Sequence, residues 1–114
     1  MSKSYDLEER TYQFAKEVRA YIRKTDKDIS NVVDCKQLAR SSGSVAANYI
    51  EANEALSKKD FFMRIKICRK EAKESTLWLR LILDEKNDSE RARLEQEAHE
   101  LTCIFGAIIT KSTT

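Results

Sequence analysis

The chain predicts an all-α fold, an antiparallel up-down-up-down four-helix bundle, on three observations. It has no proline and two glycines in 114 residues, too few turn-formers for the frequent tight reversals of a sandwich or barrel. Its apolar residues recur at spacings of three, four and seven, as in helices with one buried stripe. Only a few residues join consecutive segments, so each helix must double back beside the one before it. Residues 1–114 make one domain, with a modest core that association between copies would supplement.

Helix one runs over about 6–25, with Leu7, Phe14, Val18, Tyr21 and Ile22 on one face and Lys16, Arg19, Arg23 and Lys27 flanking it. The turn TDKDISN follows, and Asn31 with Asp34 three places on is the expected cap of helix two, about 31–55. Leu38, Val45, Tyr49 and Ala52 form its inner stripe. Ser41, Ser42, Gly43, Ser44, Ala46 and Ala47 present almost no side chain to a neighbour, which predicts close helix packing. Glycine costs a helix interior roughly 1 kcal/mol relative to alanine, so Gly43 needs a packing reason.

Ser57 with Asp60 starts helix three, about 58–86, with Phe61, Ile65, Cys68, Ala72, Leu79 and Ile82 on one face. Met63, Ile67, Trp78 and Leu81 widen its apolar surface enough to meet two partners. KNDS breaks the chain, and Asp88 or Ser89 caps helix four, about 89–111, whose inner residues are Leu94, Ala98, Leu101, Phe105 and Ile108, broadened by Ile104 and Ile109. The tail KSTT is expected to fray.

A net charge of +2 does not mark a nucleic-acid binder, but its distribution is uneven. Residues 57–73 hold seven basic and two acidic side chains, a local +5, and residues 84–100 hold seven acidic and three basic ones, a local −4. The opening MSKSYDLEER lacks the apolar core of a secretory signal, and no apolar run approaches membrane-spanning length. Cys35, Cys68 and Cys103 lie far apart among apolar residues, so buried, reduced thiols in a cytoplasmic protein are expected.

The residues give little support for an enzyme. There is one histidine, His99, no Gly-rich phosphate loop, and no Cys-x-x-Cys pair. The position three before His99 is Gln96, so the Glu-x-x-His pattern of di-metal bundles is missing; no metal or cofactor is expected. Glu71 and Glu74 share a face at i, i+3, and Arg40 on helix two is placed to reach across to them. Asn48 and Glu51 extend this polar seam, which serves registry more than net stability.

The strongest functional candidate is a basic stripe on helix three. Lys59, Lys66, Lys73 and Arg80 are spaced by seven, and seven residues fall about 20° short of two turns, so the four share a face. Arg69 and Lys70 sit beside them. Such a ladder could follow phosphates with salt-sensitive affinity and no sequence readout; the alternative is a solvated face. Phe61, Phe62, Trp78 and Phe105 fall on apolar faces and suit a core better than a base-stacking platform.

The run RSSGSVAANYIEAN, with Gln37 and Leu38 before it and Phe61, Ile65, Arg69, Glu71, Glu74, Trp78 and Leu79 after it, resembles the family of 23S rRNA intervening-sequence proteins. The accessory variability determinant of diversity-generating retroelements looks like a relative. Many members carry glycine soon after the matched Glu51, where this chain has Ala52 and Asn53. The resemblance implies a four-helix bundle, a homopentameric barrel and an accessory role, which in the retroelement relatives is to bind a reverse transcriptase and nucleic acid. A non-enzymatic oligomer presenting basic surface to RNA or DNA is therefore expected. The competing expectation is a structural or protein-docking module without nucleic-acid affinity.

Overall fold

Helix starts are set by short polar side chains that take up backbone N–H groups left free by the first turn. In the computed structural model, which describes residues 6–112, α1 (Leu7–Lys24) follows Asp6, whose carboxylate accepts the Glu9 N–H at 3.0 Å. Asp28 does the same for α2 (Ile29–Asn53), accepting the Asn31 N–H at 2.8 Å, and Ser57 for α3 (Lys58–Leu81), accepting the Asp60 N–H at 3.1 Å. In front of α4 (Asp88–Ser112), the Asn87 carbonyl accepts the Arg91 N–H at 3.0 Å. The first five residues of the opening stretch lie outside the described residues. So do Thr113 and Thr114 of the tail, whose Lys111 and Ser112 complete α4.

Three boundaries differ from the sequence reading. Asp28 rather than Asn31 caps α2, because an aspartate with the same reach stands three residues earlier and the added turn exposes Ile29 without an apolar signal. Asn31 instead lies buried inside the helix. Its side-chain amide donates to the Asp26 and Leu83 carbonyls at 3.1 and 3.0 Å, and its oxygen accepts the Leu83 N–H at 3.3 Å. That clamp holds the chain extended after α3, which ends at Leu81 rather than near Lys86, with Ile82 at φ −68°, ψ 131°. In the turn that follows, the buried Asp84 accepts the Asn87 N–H at 3.2 Å, so Asp88 and Ser89 fall within the first turn of α4 instead of capping it. At the far end of α2, Glu54 takes the C-cap at φ −97°, ψ 3°, and no described residue has a positive φ. The absent family glycine is not needed there.

The helices run antiparallel in the cyclic order α1, α2, α3, α4, with α3 packed on both α2 and α4 and the α1–α4 side the sparsest. The core is drawn from the predicted stripes: Phe14, Val18 and Tyr21 of α1, Leu38 and Val45 of α2, Ile65 and Leu79 of α3, and Leu94, Leu101 and Phe105 of α4 are all buried, while Ile22, Tyr49, Phe61 and Ile108 are partly buried against them. Burial of one such side chain contributes about 1.5 to 3 kcal/mol. Of the small residues of α2, Ser41 and Ser42 are buried at helix contacts, and Ala47 is exposed. The Ser41 and Ser75 hydroxyls meet at 2.7 Å between α2 and α3, and a Cβ on Gly43 would lie 3.0 Å from the Arg19 Nη2. Arg19 lies across that glycine, donating to the Ala15 and Ala39 carbonyls at 3.0 and 3.1 Å.

Ion pairs line the contact of α1 with α4. Arg10 bonds Glu97 and Glu100, Arg93 bonds Glu17 at 2.8 Å, and Lys24 pairs with Glu90. The α1 members of these pairs are seven residues apart, so one edge of the helix carries all three stations. The Glu97 carboxylate pushes the Arg10 guanidinium above its ordinary range by hydrogen bonding.

Candidate nucleic-acid interface

The two predicted groups of charged residues fall on different sides of α3. Toward α2 lies the polar seam, where Arg40 Nη2 donates to Glu71 Oε1 at 3.2 Å and Glu74 Oε1 at 3.0 Å. Glu71 is buried while Arg40 is half exposed, and Lys70 Nζ stands 3.9 Å from the other Glu71 oxygen. Asn48 joins α2 to α3 by a separate route, accepting from Arg64 at 3.0 Å and donating to the Ser44 carbonyl at 2.9 Å. Glu51 is exposed and lines a small pocket at the α2–α3 turn beside Arg64. The seam is thus two clusters rather than one line, because Asn48 and Arg40 are two turns apart on α2.

Toward α4 lies an open groove of roughly 710 Å³ that gathers Arg69, Lys70, Lys73 and Arg80 from α3. Its other wall is a face of α4 made by His99, Thr102, Cys103 and Gly106. The Arg69 side chain passes beside Gly106, where a Cβ would sit in ordinary contact at 3.5 Å from Nε. Lys59 and Lys66 are exposed on α3 but lie outside this groove. Heptad spacing puts them on the same side of the helix, while the neighbouring helix decides which cations share a concave surface.

Ion pairing divides the cations of the surface into two sets. Arg10, Lys24, Arg40, Arg91 and Arg93 are all engaged by carboxylates. Among the described residues, Arg69, Lys73 and Arg80 have no carboxylate within ion-pairing distance, nor do Lys59 and Lys66. The one carboxylate lining the groove, Glu74, is held by Arg40. Three unpaired cations and a half-committed fourth leave the groove electropositive, and such a surface attracts phosphate.

The expectation of three buried thiols fails at one position. Cys35 and Cys68 are buried, but Cys103 is exposed in the groove wall, with its Sγ 3.6 Å from His99 Nε2. Apolar neighbours in sequence conceal this, since Ile104 and Phe105 turn toward the core and Cys103 away. The α4 wall as a whole is missing from the sequence reading. Its signal is the i, i+3, i+4, i+7 spacing of His99, Thr102, Cys103 and Gly106. Phe105 is buried and Phe61 and Trp78 pack against the core.

A family model described as 23S rRNA-intervening sequence protein matches residues 3–106. The chain belongs to that family. Among solved structures, this intervening-sequence family member is similar to a protein of unknown function from the S23 ribosomal protein family of Bacteroides thetaiotaomicron. The TM-score is 0.74 at 23% identity, covering 90% of this chain and 96% of that one. At that identity the likeness establishes the shared fold. No curated protein matches the chain. No helix among the described residues is long and apolar enough to cross a membrane.

Proposed function

We propose that this family member is a non-enzymatic, self-assembling accessory protein of the cytoplasm that binds RNA or DNA through the phosphate backbone, in the groove between α3 and α4. The observation that carries this reading is the set of unpaired cations, Arg69, Lys73 and Arg80, gathered in one concave surface, whereas Arg10, Arg40, Arg91 and Arg93 elsewhere are ion-paired. Keeping like charges together without counter-charges disfavours the folded chain, and an anionic polymer relieves that repulsion. Backbone contacts position a nucleic acid without reading its sequence, in keeping with a groove that no Phe, Tyr or Trp ring lines. Lys59 and Lys66 extend the positive field along α3 outside the groove.

Self-assembly is supported by Met63, Leu77 and Leu81, which stand about half exposed on α3, Leu77 at the edge of the groove. The family resemblance makes a ring of five the expected form, which at +2 per copy would carry about +10. A reverse transcriptase or another nucleic-acid-bound protein is the corresponding protein partner. Ile29, Val33 and Leu83, exposed at the opposite end from the α2–α3 turn, favour a second reading in which the bundle is a docking module.

Fluorescence anisotropy on unrelated RNA and DNA sequences over a salt series decides between them. Arg69→Gln/Lys73→Gln/Arg80→Gln should weaken binding by a similar factor on every sequence and reduce the slope of log affinity against log salt by about one unit per lost duplex contact. Undiminished affinity with the parent's slope would leave the groove a solvated face and give the docking reading precedence.

A further inference from the structure

We propose that Cys103 is a modification site for anionic disulfides: with His99 it exchanges with a disulfide-linked anionic peptide, such as oxidised glutathione, and keeps one half as a mixed disulfide in the groove. The chain has three thiols, and their surroundings sort them sharply. Burial pushes the Cys35 thiol up and the Cys68 thiol up to about 12, and the Cys68 thiol also donates to the Val45 carbonyl at 3.6 Å. Both are buried, out of reach of a dissolved disulfide. Cys103 is exposed, one helical turn beyond His99, with imidazole Nε2 and Sγ 3.6 Å apart. An imidazole nitrogen within reach of a thiol is the arrangement of a nucleophile with an adjacent base.

A histidine and a cysteine one turn apart also offer two donors to a divalent metal, and local charge decides against it. Arg69, Lys70, Lys73 and Arg80 border the same groove, where they repel a cation and concentrate an anion. The nearby carboxylates are spoken for. Glu74 is held by Arg40 at 3.0 Å, and Glu100 is held by Arg10 at 2.9 Å and by Gln96 at 3.2 Å.

In the exchange, His99 Nε2 takes the thiol proton and Sγ attacks one sulfur of the incoming disulfide. The new S–S bond forms as the old one breaks, and the departing thiolate leaves with the bonding pair and recovers the proton from the imidazolium. One thiol and one disulfide give one thiol and one disulfide, so the incoming disulfide is the only oxidant required. The retained half then places its carboxylates among the groove cations.

The test is mass spectrometry of the folded chain exposed separately to oxidised glutathione and to cystamine, an anionic and a cationic disulfide. A single adduct at Cys103 is expected, forming with the anionic reagent about tenfold faster or more at low salt. The preference should shrink in Lys73→Gln/Arg80→Gln, and the reaction should slow in His99→Gln. Circular dichroism establishes that each variant is folded. Modification of Cys35 or Cys68 as fast as Cys103, equal rates for the two reagents, or His99→Gln reacting at the parent's rate would each overturn the assignment. The readout is independent of nucleic-acid binding, so a chain that binds no RNA can still pass and one that binds RNA tightly can still fail.

Discussion

Arg10 of α1 grips Glu97 of α4 with two parallel hydrogen bonds, Nε to Oε2 at 2.7 Å and Nη2 to Oε1 at 2.8 Å. Both side chains are about three-quarters covered, so the pair keeps more of its strength than a fully solvated one. Glu97→Gln should destabilise the fold by roughly 1 to 2 kcal/mol, read as a lower urea midpoint with an unchanged m-value.

Glu100 beside it gives the seam a pH dependence. Hydrogen bonds from Gln96 and then Arg10 hold its carboxyl below the ordinary value. A carboxylate with a lowered folded-state pKa contributes stability that is fully present above its unfolded value and is lost as pH falls through the folded one. The loss therefore belongs below about pH 4. Hydrogen exchange should show α1 loosening there ahead of α2 and α3. Uniform loss of protection across all four helices would contradict this.

Arg40→Leu takes the guanidinium from Glu71, which is buried, and from Glu74, which is not. Because Arg40 is half exposed and Lys70 remains 3.9 Å from Glu71, the cost should be about 1 to 3 kcal/mol, less than for a fully buried pair. Glu74→Gln should cost under about 1 kcal/mol. Equal effects from the two substitutions would mean that the burial of Glu71 has no energetic weight.

Arg19 and Gly43 should be coupled. A methyl group on Gly43 meets Arg19 Nη2 at 3.0 Å, so in the parent the roughly 1 kcal/mol gained from alanine in a helix is offset by displacement of the guanidinium from its carbonyl partners. In an Arg19→Ala background the same Gly43→Ala change should stabilise by about 1 kcal/mol. A double-mutant cycle measures the difference directly.

Asn31→Leu should be among the costlier single changes, at roughly 2 to 4 kcal/mol. It removes the partners of the Leu83 N–H and of the Asp26 and Leu83 carbonyls at a buried position. Thermal melting that leaves the midpoint within 2 °C of the parent would show that these backbone groups find other partners.

Period and spacing made the helices and the core legible, because Phe14, Leu38, Ile65 and Leu101 lie on stripes that only one packing can bury together. The end of α3 was not. The stretch LDEKND contains no proline or glycine, and the break depends on Asn31, 52 residues away in sequence. The basic groove was half legible: heptad spacing placed Lys73 and Arg80 on one face, but their separation from Lys59 and Lys66 follows from where α4 lies. The Arg10–Glu97 pair spans 87 positions, and no local pattern announces it.

The ionic edge of α1 also bears on how the chain is made. Synthesis runs from the N-terminus, so Arg10, Glu17 and Lys24 emerge well before their partners Glu90, Arg93 and Glu97. During that interval the edge facing the future α4 is wetted by side chains that water solvates well. An apolar edge left open for the same time would invite a wrong neighbour, whether another nascent chain or another helix of its own. The cost of waiting is borne by charge, and the last helix to be synthesised closes the bundle.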